Sequence, residues 1–318
     1  MDVTEWLLDS DPAIRWQVMH DLLDAPPSET AGERAHVATE GWGARLLALQ
    51  PDDGRWGGDE YGVAGDRRSV TWTLHLLRRL GIDPDAPSTR AAIARVRDGV
   101  VWREWGDLPY FHGEVEECVN GGVLALAAYF GELGDGSDRI IERLLQEQLA
   151  DGGWNCDPIE ESVRSSFDST LCVIEGLLAY ERAVPDAPPE IAASRRLGEE
   201  YLLERALFRR RSTGEIVLPR YADLKFPPYW TYDVLRALDY FRTAHERPDP
   251  RVADAVELVI AQRADDGRWL AGTPWRGEVF FAVDAPAGEP SRWNTLRALR
   301  VLRWFDGSAN RAANTNPA

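Results

Sequence analysis

Cys118, Cys156 and Asp168 are the residues whose types could do the sharpest chemistry. Cys118 and Asp168 open two apolar segments of the same kind, and Cys156 ends the loop motif "QLADGGWNCD" that leads into the second. Two thiolates and a carboxylate at one mouth are donors suited to zinc, with a fourth position left for water or substrate. The competing reading is local. No Cys-x-x-Cys occurs, and a free cysteine in a helical core usually packs as a small hydrophobe. Asp168 and Asp233 are also the acid–base candidates, because a carboxylic acid in an apolar, aromatic cavity has its pKa raised and can donate a proton near neutrality. Against that, Asp168 also fits a helix cap, and Asp233 fits a partner for an arginine.

These residues must be carried by helices, since apolar residues recur at three- and four-residue spacing through most of the chain. Six apolar, small-residue segments stand out, beginning near positions 13, 69, 118, 168, 229 and 292. Their spacing of roughly 50 to 60 residues is the period of a helical repeat. Between them lie more charged helical segments, among them "STRAAIARVRDGV", "SDRIIERLLQEQL" and "PDPRVADAVELVIAQ". Breaks such as "DAPPSETAG", "VPDAPPE" and "DAPAGEP" punctuate the units. An apolar helix alternating with an amphipathic one predicts an inner ring inside an outer ring. The expected architecture is all-α, a single (α/α)6 toroid of six inner and about six outer helices over residues 1–305, with 306–318 a disordered tail. An open helical solenoid is the alternative.

Aligning the six inner segments gathers a polar collar at one mouth of the central cavity. Its members are Arg15, Gln17, Asn120, Thr170, Thr231, Arg292 and Asn294, together with Cys118, Asp168, Cys172 and Asp233. Trp72, Phe167 and Trp230 lie close by, and "HGEVEEC" puts His112, Glu114, Glu116 and Glu117 just ahead of Cys118. Converging polar groups on an apolar wall describe a ligand pocket. The plainer reading is that many of them are caps and turn residues.

Composition narrows the classes. The chain has 318 residues, 44% of them hydrophobic, so a large core is available. Thirteen tryptophans suit helix contacts or an aromatic-lined cavity. A net charge of −17 repels phosphate backbones, so nucleic acid is not an expected partner. Lys225 is the only lysine. No apolar run approaches the length of a membrane span, and the acidic start does not resemble a signal peptide. Three cysteines argue against a disulfide framework, and a reduced cytoplasm is the expected compartment.

The loop motif has two cousins, "QPDDGRWGGD" from Gln50 and "QRADDGRW" from Gln262. This Gln-x-x-Asp-Gly-x-Trp repeat, each copy followed by an inner helix, resembles that of squalene-hopene and oxidosqualene cyclases. Protein prenyltransferase β subunits share a related toroid. The match is nearest to small bacterial squalene-cyclase-like or prenyltransferase-like proteins, through "SDPAIRWQV", "GEVEECVNG", "GGWNCD", "RSSFDST" and "FPPYWTYDVLRALDYF". The resemblance implies the terpenoid cyclase and protein prenyltransferase toroid, and an aromatic cavity for an isoprenoid-like substrate. Zinc held in a comparable region by the prenyltransferases agrees with Cys118, Cys156 and Asp168 as ligands. The Asp-x-Asp-Asp acid run of the triterpene cyclases is absent, as is Asp-Asp-x-x-Asp, so squalene cyclisation is not expected. The leading expectation is an enzyme acting on a small apolar or isoprenoid-like molecule in the central cavity. Acid- or metal-assisted cyclase, transferase or lyase chemistry would serve. The alternatives are a non-catalytic toroid that binds a hydrophobic ligand or a partner chain, and a carbohydrate-active (α/α)6 enzyme.

Overall fold

The computed structural model describes residues 2–62, 65–114, 116–157 and 163–314, the side chains of 308–314 excepted. The chain is all-α apart from two short strand pairs among these residues. The helices run α1 (Val3–Leu8), α2 (Pro12–Asp21), α3 (Pro27–Ala35), α4 (Gly41–Ala48), α5 (Val70–Leu80) and α6 (Pro87–Gly99). They continue with α7 (Glu117–Phe130), α8 (Asp135–Gln146), α9 (Phe167–Ala183), α10 (Pro189–Leu203), α11 (Val234–Ala244), α12 (Ala253–Ile260) and α13 (Arg292–Asn314). The last four residues of the 306–318 tail lie outside the described residues. No described helix is long and apolar enough to cross a membrane.

The apolar segments are α2, α5, α7, α9, α11 and α13, and each touches the next. Trp16 and Gln17 on α2 donate to the carbonyls of Leu80 and Arg79 at the end of α5. Gly122 on α7 leaves room for His75 on α5. α7 and α9 meet backbone to backbone, where a Cβ on Gly176 would lie 2.3 Å from the Gly121 carbonyl oxygen. Glu175 on α9 pairs with Arg236 on α11, and Asp239 on α11 with Arg300 on α13. Arg300 also donates to Gln17 and Asp21 on α2. The sixth apolar helix thus returns to the first.

Local chemistry sets the helix ends. Asp11 caps α2 by accepting from the Ala13 amide, with Pro12 in the first turn. Ser166 caps α9 and Asp233 caps α11 through the amides of Ser169 and Arg236. Gly81 ends α5 at φ 74°, and a Cβ there would sit 2.0 Å from the Trp16 ring.

The repeat motif is a fastener, and its three copies behave alike. Trp56, Trp154 and Trp269 are fully buried. Their indoles donate to the carbonyls of Leu46, Leu144 and Val259, each ten residues upstream, at 2.9, 2.7 and 2.7 Å. Gln50 and Gln148 donate to carbonyls of the following unit, those of Ala92 and Ser194, whereas Gln262 donates back to that of Ala222. Asp53 and Asp266 receive the amides two residues on, whereas Asp151 takes Ser165.

One inner segment departs from the sequence expectation. The fifth was expected to be helical from Tyr229, yet α11 begins at Val234. Tyr229 has φ 50° and Thr231 turns back to hydrogen-bond the Pro228 carbonyl, so the helix is delayed until its Asp233 cap. Trp230 and Thr231 therefore stand in the turn ahead of the helix. Further on, β1 (Trp269–Leu270) pairs with β2 (Pro290–Ser291) and pinches the neck of the loop 271–289.

Candidate functional site

Most of the collar is occupied with holding the fold. Arg15 pairs with Glu33 at 2.6 Å. Gln17 clamps α2 to α5 and accepts from Arg300. Asn120 receives the Glu114 amide and returns a bond to its carbonyl. Thr170 accepts from the Trp154 amide, tying α9 to the repeat loop. Arg292 donates to the carbonyls of Trp6 and Asp9. Asn294 donates to those of Leu224 and Leu270. Phe167 is packed among the rings of Tyr201, Tyr221 and Tyr232.

The two aspartates expected to be catalytic are likewise engaged. Arg220 grips both oxygens of Asp168 at 3.1 and 2.8 Å, the Tyr232 amide donates at 2.7 Å, and Tyr221 adds its hydroxyl at 3.3 Å. Asp233 caps α11 and faces Arg297 at 3.5 Å.

The thiols do come together, but with a different carboxylate. Ligand atoms of Glu116, Cys118 and Cys156 all lie within 4.8 Å of one another. The Cys118 amide in the first turn of α7 donates to Cys156 Sγ at 3.3 Å, and Ser169 Oγ lies at the same distance. Together with the Cys118 thiol, these contacts hold the Cys156 pKa below the ordinary thiol value. Asp168, bound to Arg220, stands apart from this cluster, and Glu116 takes its place.

A chamber of about 370 Å³ opens beside Trp72. Its walls come from α4, α5, the turn ahead of α11 and the loop 271–289. Trp72, Phe226, Tyr229, Trp275 and Phe280 make it aromatic, and Leu76, Val279 and Val283 add aliphatic surface. Trp72 is 3% exposed, and its indole nitrogen has no hydrogen-bond partner among the described residues. Trp275 Nε1 and Arg67 Nε, both on the same wall, are also without one. The Arg67 guanidinium lies 5.4 Å from the Trp72 ring and 4.9 Å from that of Tyr229, while Lys225 Nζ sits 4.4 Å from the Trp275 ring. The polar hardware of this wall is therefore a set of donors.

The same wall also carries the carboxyl group of Asp284. Burial against the chamber pushes the Asp284 carboxyl up to about 6, overcoming the opposing hydrogen bonds from Ser291 Oγ, at 2.7 Å, and the Ala285 amide. Sequence reading took "DAPAGEP" as punctuation and so passed over Asp284. The one available signal was that Trp275 and Lys225 belong to no copy of the repeat, although Lys225 is the sole lysine.

The site is an aromatic chamber with an acid and several donors in its wall, carried on a helical repeat fold. No family model and no curated protein matches the chain. Among solved structures it is similar to a protein from Actinoplanes, at 19% identity and TM-score 0.44, over 93% of this chain and 90% of that one. It is also similar to the ligand-free type II terpene cyclase MstE from Scytonema, at 16% identity and TM-score 0.45, over 92% and 88% of the two chains. A variant of that cyclase in complex with geranylgeranyl dihydroxybenzoate aligns at 16% identity and TM-score 0.42, over 94% and 88%. At such identities chemistry does not transfer with the alignment.

Proposed function

We propose that the protein is an enzyme acting on an apolar, isoprenoid-like substrate, with Asp284 as the proton donor in the aromatic chamber. The proposed frame is a closed (α/α)6 toroid, supported by the contact of each inner helix with the next and of α13 with α2. The observation that carries the function is a protonatable carboxyl in the wall of an apolar aromatic chamber. In the proposed step the Asp284 O–H bond breaks and its proton adds to one alkene carbon. The carboxylate left behind and the surrounding ring faces offset the positive charge on the neighbouring carbon. A second alkene or an aromatic ring closes on that carbon, a proton leaves to water, and water restores the acid. Arg67, Trp72 and Trp275 hold an oxygen-bearing end of the substrate, because each offers a donor without an acceptor among the described residues.

The test is incubation with prenylated aromatic acids, geranylgeranyl dihydroxybenzoate among them, and chromatography coupled to mass spectrometry. The expected product keeps the substrate mass and elutes differently, and Asp284→Asn abolishes it while the probe still quenches tryptophan fluorescence. Quenching without conversion by the wild-type protein would replace the enzyme reading with a binding one.

A zinc ion belongs to the same proposal, held by Cys118 and Cys156 with Glu116 as the third ligand. The fit rests on two sulfur donors and a carboxylate converging within 4.8 Å. When bound, zinc supplies Lewis-acid character or an acidified water. Purified protein is expected to carry close to one zinc per chain, lost in Cys118→Ser and Cys156→Ser. A metal-free preparation that takes up no added zinc refutes this part.

A further inference from the structure

At the opposite end of the inner helices lies a second and larger cavity, of about 1210 Å³. Eight arginines and four carboxylates line it. That surplus of positive charge is unexpected in a chain of net charge −17. Part of it has a structural use, since Arg34 and Arg182 donate to the carbonyls of Gly81 and Thr243 near the ends of α5 and α11. Arg242 and Arg300 pair with Asp239, and the rest are less evenly matched. Arg78, Arg79 and Arg236 come from two helices and share a single carboxylate, Glu175, in the cavity wall. Arg236 takes both Glu175 oxygens at 2.9 Å, which leaves Arg79 at 3.6 Å. Arg297 joins them from α13; it is 3% exposed, and its Nη2 lies 3.5 Å from Asp233 without a hydrogen bond among the described residues. The Arg78 guanidinium has neither a hydrogen bond nor an ion pair among them.

We propose that this cavity binds a small polyanion, a phosphate ester or polycarboxylate of two or more negative charges, through Arg78, Arg79 and Arg297. Guanidinium groups match such oxyanions with paired hydrogen bonds. A concave, partly dry wall strengthens each of them. The unrelieved positive charge has a visible cost, because burial and the neighbouring arginines push Arg79 down to about 10 and also lower Arg78. An anion would remove that cost. The site opens apart from the chamber, although Phe226 lines both and the Arg297 charge reaches Asp284.

Calorimetric titration of the full chain with inorganic diphosphate and with citrate tests the proposal. One saturable anion per chain is expected for at least one of the two. Arg78→Gln should weaken it tenfold or more, whereas Arg90→Gln on the outer surface should leave it unchanged. Asp284→Asn should also leave it unchanged, which separates this site from the chamber. Ligand-free melting temperatures of the variants report whether they fold. No saturable binding to wild-type protein overturns the proposal, as does equal binding by a folded Arg78→Gln variant. Capture of an acidic peptide without either small anion would also overturn it.

Discussion

Asp284→Asn should make the protein more stable at neutral pH, and the gain should vanish in acid. The Asp284 carboxyl titrates near 6 in the folded chain because burial disfavours its charge, against an ordinary value of 3.8. A raised carboxyl pKa means that the folded state binds the proton more tightly than the unfolded one. Below about pH 3.8 both states are protonated and the residue costs nothing. Between 3.8 and 6 the unfolded state ionises first and stability falls, and above 6 the loss is complete. The separation of the two pKa values corresponds to at most about 3 kcal/mol. Asparagine keeps the oxygen that accepts from Ser291 and never ionises, so it should recover most of that energy. For a chain of this length the gain is at most about 4 °C in melting temperature. Thermal unfolding of both proteins from pH 4 to 8 reads it directly. A difference that stays constant with pH, or a variant less stable at pH 7.5 than at pH 4 relative to wild type, would refute the buried-acid reasoning.

Other outcomes follow from residues placed in the frame. Trp154→Phe should cost about 1–3 kcal/mol, because the buried Leu144 carbonyl loses its donor, and Trp154→Ala about 3–5 kcal/mol through the cavity it leaves. Both are measurable by urea unfolding. Asp168→Ala should destabilise by about 3–5 kcal/mol, since it abandons Arg220 and the Tyr232 amide. Asp168→Asn, if folded, should retain conversion of any substrate that Asp284 protonates, and its turnover per folded molecule is the readout.

The frame was legible because it repeats. Three copies of Gln-x-x-Asp-Gly-x-Trp and six apolar segments signal their roles by recurrence, and the fully buried Trp56, Trp154 and Trp269 show why the spacing is kept. The thiol pair was legible for a related reason, as Cys156 departs from its sister motifs at the point where it meets α7. The proposed acid was not legible. Asp168 and Asp233 sit at helix starts, where a carboxylate has a capping or pairing role to fill, and period alone does not separate that role from chemistry. Asp284 lies on a loop without period, and only the burial contributed by Trp275, Phe280 and the wall around Trp72 gives it an unusual proton affinity. The arginine-lined cavity escaped for the opposite reason. Arg78 and Arg79 fall in the last turn of α5, where basic side chains are ordinary, and only their convergence with Arg236 on Glu175 sets them apart.

The most direct test of the central proposal is to run the conversion in deuterium oxide and weigh the product. If Asp284 delivers a solvent-exchangeable proton to an alkene carbon, the product is heavier than the starting material by one deuterium, and Asp284→Asn yields none. Product without deuterium, or full turnover by Asp284→Asn, would contradict the assignment of Asp284 as the acid.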